Sequence, residues 1–238
     1  MLGRLASLVI ALAAAGGFLA AHDASACAGR SYAYAGVAGT RASAGIGASV
    51  STLSLPRVAE GHVAAFVGVG GPGQGPAGSD EWLQIGFSGF SGGESSIYYE
   101  VALPGRAPLY TELKANVRAG ETHRIAVLEL GGRRDWWRVW LDGRPASRPI
   151  HLAGSHARWV PTATAESWTP GRTSCNSYAF AFNRLSVPTA PGGSWKQLGD
   201  QVSFSDPGYR IERRAQTAFV ARTAPGAHAS RELFSVRR

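Results

Sequence analysis

Two polar side chains stand in surroundings that would change what they can do. The first is Gln84, inside Glu81-Trp82-Leu83-Gln84-Ile85-Gly86-Phe87. Read as a strand, this stretch puts Trp82, Gln84 and Gly86 on one face and Leu83, Ile85 and Phe87 on the other. An amide that both donates and accepts hydrogen bonds then lies beside an aromatic wall, next to a glycine that lets a ligand or another backbone come close. The competing reading is a core tryptophan and a glutamine that caps a neighbouring strand. The second side chain is Glu166, in Arg158-Trp159-Val160-Pro161-Thr162-Ala163-Thr164-Ala165-Glu166-Ser167-Trp168. Strand alternation places it with Thr162, Thr164 and Trp168, while Trp159, Ala163 and Ala165 face the other way. An indole desolvates a carboxyl and raises its pKa, whereas neighbouring hydroxyls stabilise the ionised form and lower it, so Glu166 reads as a tuned acid or base. Its alternative role is a strand-end ion pair with Arg172 or Arg184.

Other chemistries lack their residues. No Gly-x-Ser-x-Gly elbow is present, and neither cysteine has a catalytic partner by pattern. His62, His123, His151 and His156 show no metal-ligand spacing and read as surface or strand-edge residues, so no metal and no cofactor is expected. The Glu-x-Asp-x-x-Glu run of a sandwich-fold glycanase is absent, which argues against retaining glycosidase chemistry, where two carboxyls stand about 5 Å apart. The net charge of +8 comes mostly from arginines that are scattered and thicken only toward the C-terminus. That pattern, without a nucleic-acid motif, suits solubility and loose attachment to acidic polymer rather than nucleic-acid binding.

The elements that must hold these side chains are strands. Thirty-one glycines and seven tryptophans, with period-two alternation recurring every ten to fifteen residues or so, point to an all-β chain: a two-sheet antiparallel β-sandwich or jelly roll. Strands are expected at 32–37, 47–53, 62–69, 81–87, 97–103, 109–117, 122–130, 136–141, 147–152, 156–168 and 177–187. Gly70 to Gly78 must be a loop, and Asp142-Gly143 after an aromatic run supplies the positive-φ pair of a tight hairpin. A sandwich domain is expected over 29–187. Residues 188–238 read as a linker, Pro188 to Ser194, and a weakly structured basic tail in which 209–213 and 218–222 can pair as a short hairpin.

Arg4, the apolar run Leu5 to Ala20 and the small residues Ala24-Ser25-Ala26 follow the order of a secretory signal, so residues 1–28 are expected to be removed. A secreted protein without an integral membrane segment follows, with cell-surface association through its arginines. In an oxidising compartment, Cys27 and Cys175 make one disulfide the simplest account, provided that cleavage leaves Cys27 in place; a lipid on Cys27 is the alternative. A sandwich that lays its first strand on its last would bring 32–37 beside 178–187. A monomer is expected.

Three segments in order, Phe66-Val67-Gly68-Val69-Gly70-Gly71, Trp82-Leu83-Gln84-Ile85-Gly86-Phe87 and Tyr98-Tyr99-Glu100-Val101-Ala102-Leu103-Pro104, resemble the strands of the eqolisin, or glutamic peptidase, family. The resemblance runs from about 31 to 187. It implies a concanavalin A-like sandwich and a secreted endopeptidase, active at acidic pH, in which a glutamine and a glutamate activate water. Gln84 matches the catalytic glutamine of the family's Leu-Gln-x-Gly strand. The family's glutamate ends an Ala-Glu-(Phe/Trp)-Ile-x-Glu segment. Aligned on Ala157-Arg158-Trp159-Val160-Pro161-Thr162 it falls on Thr162, which implies a dead enzyme or a binding descendant. Moved by four residues, it falls on Glu166, which implies a live Gln84/Glu166 pair. Trp82, Tyr98, Glu100 and Trp168 would then bind substrate. The partner would be a polypeptide or, in a non-catalytic lectin-like module with tryptophan platforms, an extracellular glycan.

Overall fold

The computed structural model describes residues 32–93, 95–170 and 176–225. In chain order the strands are β1 (Tyr32–Gly39), β2 (Gly45–Arg57), β3 (His62–Gly71), β4 (Glu81–Phe90), β5 (Ser95–Ala102) and β6 (Leu109–Lys114). They continue with β7 (Thr122–Glu129), β8 (Trp136–Leu141), β9 (Arg144–Pro145), β10 (Ile150–His151), β11 (Thr162–Trp168) and β12 (Ser177–Pro188). Four more follow: β13 (Trp195–Gln197), β14 (Gln201–Ser205), β15 (Tyr209–Ala215) and β16 (Ala218–Thr223). Every pairing is antiparallel, and they form two sheets, one in the order β14-β1-β11-β3-β4-β5-β6 and the other in the order β10-β8-β7-β2-β12-β16-β15. The expected all-β sandwich is the fold.

Period-two alternation decides which side chains fill the space between the sheets. Leu83, Ile85 and Phe87 of β4 are each 0% exposed and meet Val63, Ala65 and Val67 from β3. Phe180 and Phe182 from β12 and Trp137 from β8 fill the opposite side. Each such burial is worth about 1.5–3 kcal/mol, so this layer fixes which face of β4 points away from it. The polar face of β4 is therefore turned to the outside of the first sheet.

The strand expected over 156–168 begins only at Thr162. Before it, Ala157 has a φ of 56° and Ser155 accepts from the Arg158 amide in a turn, while Pro161 precedes the ladder. Of 147–152, only Ile150–His151 pairs. The segment beyond Pro188 is more ordered than its composition suggests. The Pro188–Ser194 stretch closes a turn against β7 through the Gly192 amide on the Glu129 carbonyl, β14 pairs with β1, and β15 and β16 form the hairpin that extends the second sheet. β1 does not lie beside β12: β1 joins β11 and β14 in one sheet while β12 joins β2 in the other. Cys27, Cys175 and the expected signal segment lie outside the described residues.

Candidate functional site on the outer face of the seven-stranded sheet

The outward side chains of β1, β11, β3, β4 and β5 surround a cavity of about 780 Å³. Pairing register orders them into rows. One row runs Thr162, Gly68, Gln84, Glu100 and Tyr110 across β11, β3, β4, β5 and β6. A second runs Tyr34, Glu166, Ala64 and Ser88. A third, at one end, runs Tyr32, Trp168, His62 and Phe90. Gly68 sits between Thr162 and Gln84, where a Cβ would come 2.9 Å from the Gln84 Cβ. Its lack of a side chain keeps the floor of the groove open beside the amide.

All six candidate residues lie on this one face. Gln84, Trp82, Tyr98, Glu100 and Glu166 line the cavity. Trp168 stands at the rim, stacked on the His62 ring with centroids 5.5 Å apart. Gln84 and Glu166 share the face but not the row. Glu166 is paired with Ala64, four positions along β3 from the Gly68 that faces Gln84. That offset is about 13 Å along the strands and about 10 Å across them. Of the two alignments left open by the sequence, the register therefore puts Thr162 in line with Gln84.

Each polar group has its own partners. The Gln84 Nε2 donates to the Tyr98 hydroxyl at 3.0 Å, and the Trp82 Nε1 donates to a Glu100 oxygen at 2.9 Å. Glu100 is the carboxylate directly opposite Gln84 on the adjacent strand. Burial pushes its pKa above the usual glutamate value, the Trp82 indole pulls it back, and the Glu166 charge adds to the rise. Burial is also the main reason that the Tyr98 hydroxyl is held well above the ordinary tyrosine range, with the charges of Glu166 and Glu100 adding to it. Tyr98 is thus a neutral hydroxyl, stacked on Tyr110 at 4.9 Å, with its own proton left to donate.

Glu166 is 8% exposed and lies 3.0 Å from the His62 Nε2. Tyr34 also hydrogen-bonds it, and burial followed by the Glu166 charge raises the Tyr34 pKa. Sequence reading set His62 aside. The signal that would have found it is parity: His62 faces outward on β3 as Glu166 does on β11, but their adjacency depends on a pairing between strands about a hundred residues apart. Among the described residues, no group of three or more His, Cys, Asp or Glu side chains is placed to hold a metal ion.

No protein-family model matches the chain, and no curated protein does. Solved structures do. A crystal structure of scytalido-glutamic peptidase with a transition-state analogue inhibitor superposes with a TM-score of 0.59 at 14% identity, over 82% of this chain and 99% of that one. Another, with a peptide-based transition-state analogue, gives 0.56 at 15% identity over 82% and 98%. SCP-B, a member of the eqolisin family in complex with the tripeptide Ala-Ile-His, gives 0.52 at 16% identity over 82% and 98%. The chain shares their β-sandwich fold.

Proposed function

We propose that the groove binds an extended polypeptide and hydrolyses it, with water activated between Gln84 and Glu100. The observation that carries this reading is the placement of these two side chains directly opposite each other on β4 and β5. Opposed residues of an antiparallel pair have Cβ atoms about 5 Å apart, close enough for one water to touch both. The fold shared with peptidases crystallised with peptide-like ligands supports a polypeptide in the groove. Glu100, in its ionised form, takes a proton from the water as its oxygen attacks the scissile carbonyl carbon. Gln84 uses one N–H on Tyr98 and has a second for the developing oxyanion, a contribution of about 3–4 kcal/mol in comparable sites. As the C–N bond breaks, protonated Glu100 returns the proton to the leaving amine and is ionised again. The signal-like order of residues 1–28 supports action outside the cell.

Purified protein should cleave an acid-denatured protein, and Gln84→Ala and Glu100→Gln should each lower kcat/KM by about a hundredfold or more. Wild-type turnover by either variant refutes this pairing. A second reading, a groove that binds without cutting, is favoured by Thr162 in the row where the family resemblance expects a carboxylate. Saturable peptide binding without cleavage, or binding of glycan in its place on an array, would support it over hydrolysis.

A further inference from the structure

The chain carries a net charge of +8, yet among the described residues no lysine or arginine lines this cavity; the acidic and basic side chains there are Asp80, Glu100, Glu166 and His62. The imbalance is sharpest at the end occupied by Glu166. There the rings of Tyr32, His62, Phe90 and Trp168 form a continuous arc. Tyr32 lies 6.3 Å from Trp168 and 6.5 Å from His62, and His62 lies 6.0 Å from Phe90. Tyr32 is 47% exposed and Phe90 40%, so ring surface faces the solvent beside a carboxylate that is itself almost buried. The negative face of an aromatic ring attracts a cation, and a carboxylate removed from water attracts it more strongly. Long aliphatic stems also pack on rings while their charged ends reach a polar partner.

We propose that this end of the groove is a subsite for a cationic side chain, lysine or arginine, of the bound polypeptide. The ammonium or guanidinium meets Glu166, and the stem lies on Tyr32 and Phe90. His62, hydrogen-bonded to Glu166 and stacked on Trp168, holds the carboxylate in place. Glu166 then acts in recognition, not as the partner of Gln84. This inference rests on the reading of the groove as a polypeptide site.

The test compares two capped alanine-rich peptides that differ only in carrying lysine or norleucine, titrated against the full chain by tryptophan fluorescence. The lysine peptide should bind about tenfold or more tightly. The ratio should collapse toward one in Glu166→Gln and fall in Tyr32→Ala, whose exposed position makes misfolding a poor explanation. Equal binding of both peptides overturns the subsite while leaving the polypeptide groove intact. If neither peptide binds, the polypeptide reading fails, and a second probe decides the subsite alone. N-acetyl-lysine methylamide, but not its norleucine analogue, should shift the NMR signals of the His62 ring and the Trp168 indole. No shift overturns the proposal.

Discussion

Gly86 stands two residues from Gln84, and replacing it with alanine tests how rigidly the floor of the groove is set. Its Cβ would meet the Ala65 carbonyl oxygen and would lie 2.6 Å from the Phe66 Cα and 2.7 Å from the Ala65 carbonyl carbon. Carbon atoms in contact normally sit about 3.5–4.0 Å apart, so relief requires about 1 Å of separation. All three atoms belong to the backbone of β3, which pairs with β4 from His62↔Phe90 to Gly71↔Glu81, so no side chain can swing away. Overpacking of this kind costs about 1–3 kcal/mol, and the upper part of that range is expected when backbone must move. For a chain of this size that is a fall in Tm of about 5–10 °C. Gly199→Ala is the control, because nothing lies within 4 Å of a Cβ there; it should leave stability unchanged or raise it slightly. Urea denaturation measures both. A displacement of about 1 Å near the reacting groups can also cost about a hundredfold in rate, so peptide hydrolysis should fall further in Gly86→Ala than the loss of folded protein explains. Should the two alanine variants unfold within about 0.5 kcal/mol of each other, the argument from β3 backbone contact is refuted.

Other expectations follow from single groups. Burial raises the Glu100 pKa, so the protonated form suits the fold: the associated stability is present below the unfolded value of 4.5 and is lost as pH rises through the raised folded value. Glu100→Gln should therefore be more stable than the wild type at neutral pH and equal to it in acid by thermal melts, while wild-type hydrolysis should rise with pH through the same ionisation; the same stability offset at both pH values would contradict this. Asn176 is 0% exposed, accepts from the Ala59 amide, and donates to the Glu60, His62 and Trp168 carbonyls. Asn176→Ala should cost about 2–4 kcal/mol by urea denaturation, because several buried backbone groups lose their partner. Glu129, 0% exposed, accepts from the Asp135 amide and contacts the His156 Nδ1 at 2.9 Å. His156→Ala should cost about 1–3 kcal/mol in the same assay, and a neutral result would show that the carboxylate is satisfied without the ring.

Period two is a local property, which is why β4 could be read residue by residue: Leu83, Ile85 and Phe87 are fully buried and Trp82, Gln84 and Gly86 face outward. The Asp142-Gly143 hairpin was legible for a similar reason, since its φ values of 50° and 78° are the conformations those two residue types favour. The length of β11 was not, because the turn around Ala157 is stabilised by contacts with the chain around Leu152 and Asp135 rather than by a glycine or a proline at its centre. The order of 195–205 was hidden for another reason. β14 has an exposed Val202 and no apolar run, and its place is set by the backbone of β1, far away in sequence. The site followed the same division. Which face each of Trp82, Gln84, Glu100 and Glu166 occupies is a matter of local parity, but which of them are neighbours is a matter of register. Four positions along β3 separate the row of Gln84 from that of Glu166, and no single strand carries that information.

β14 and the β15–β16 hairpin also bear on how the chain is made. Each caps an edge that would otherwise be an unpaired template for another strand: β14 lies on β1, and β16 lies on β12. A nascent chain that has reached Pro188 holds all the strands that carry the candidate groove residues, but it leaves those two edges bare. Exposed edges recruit other strands, so such an intermediate is prone to stick to its own copies until the final strands arrive. The C-terminal strands thus act as an internal guard against aggregation, and a version shortened at Pro188 to isolate the groove would lose that guard, together with Phe204 of the cavity wall, while keeping Trp82, Gln84, Tyr98, Glu100, Glu166 and Trp168.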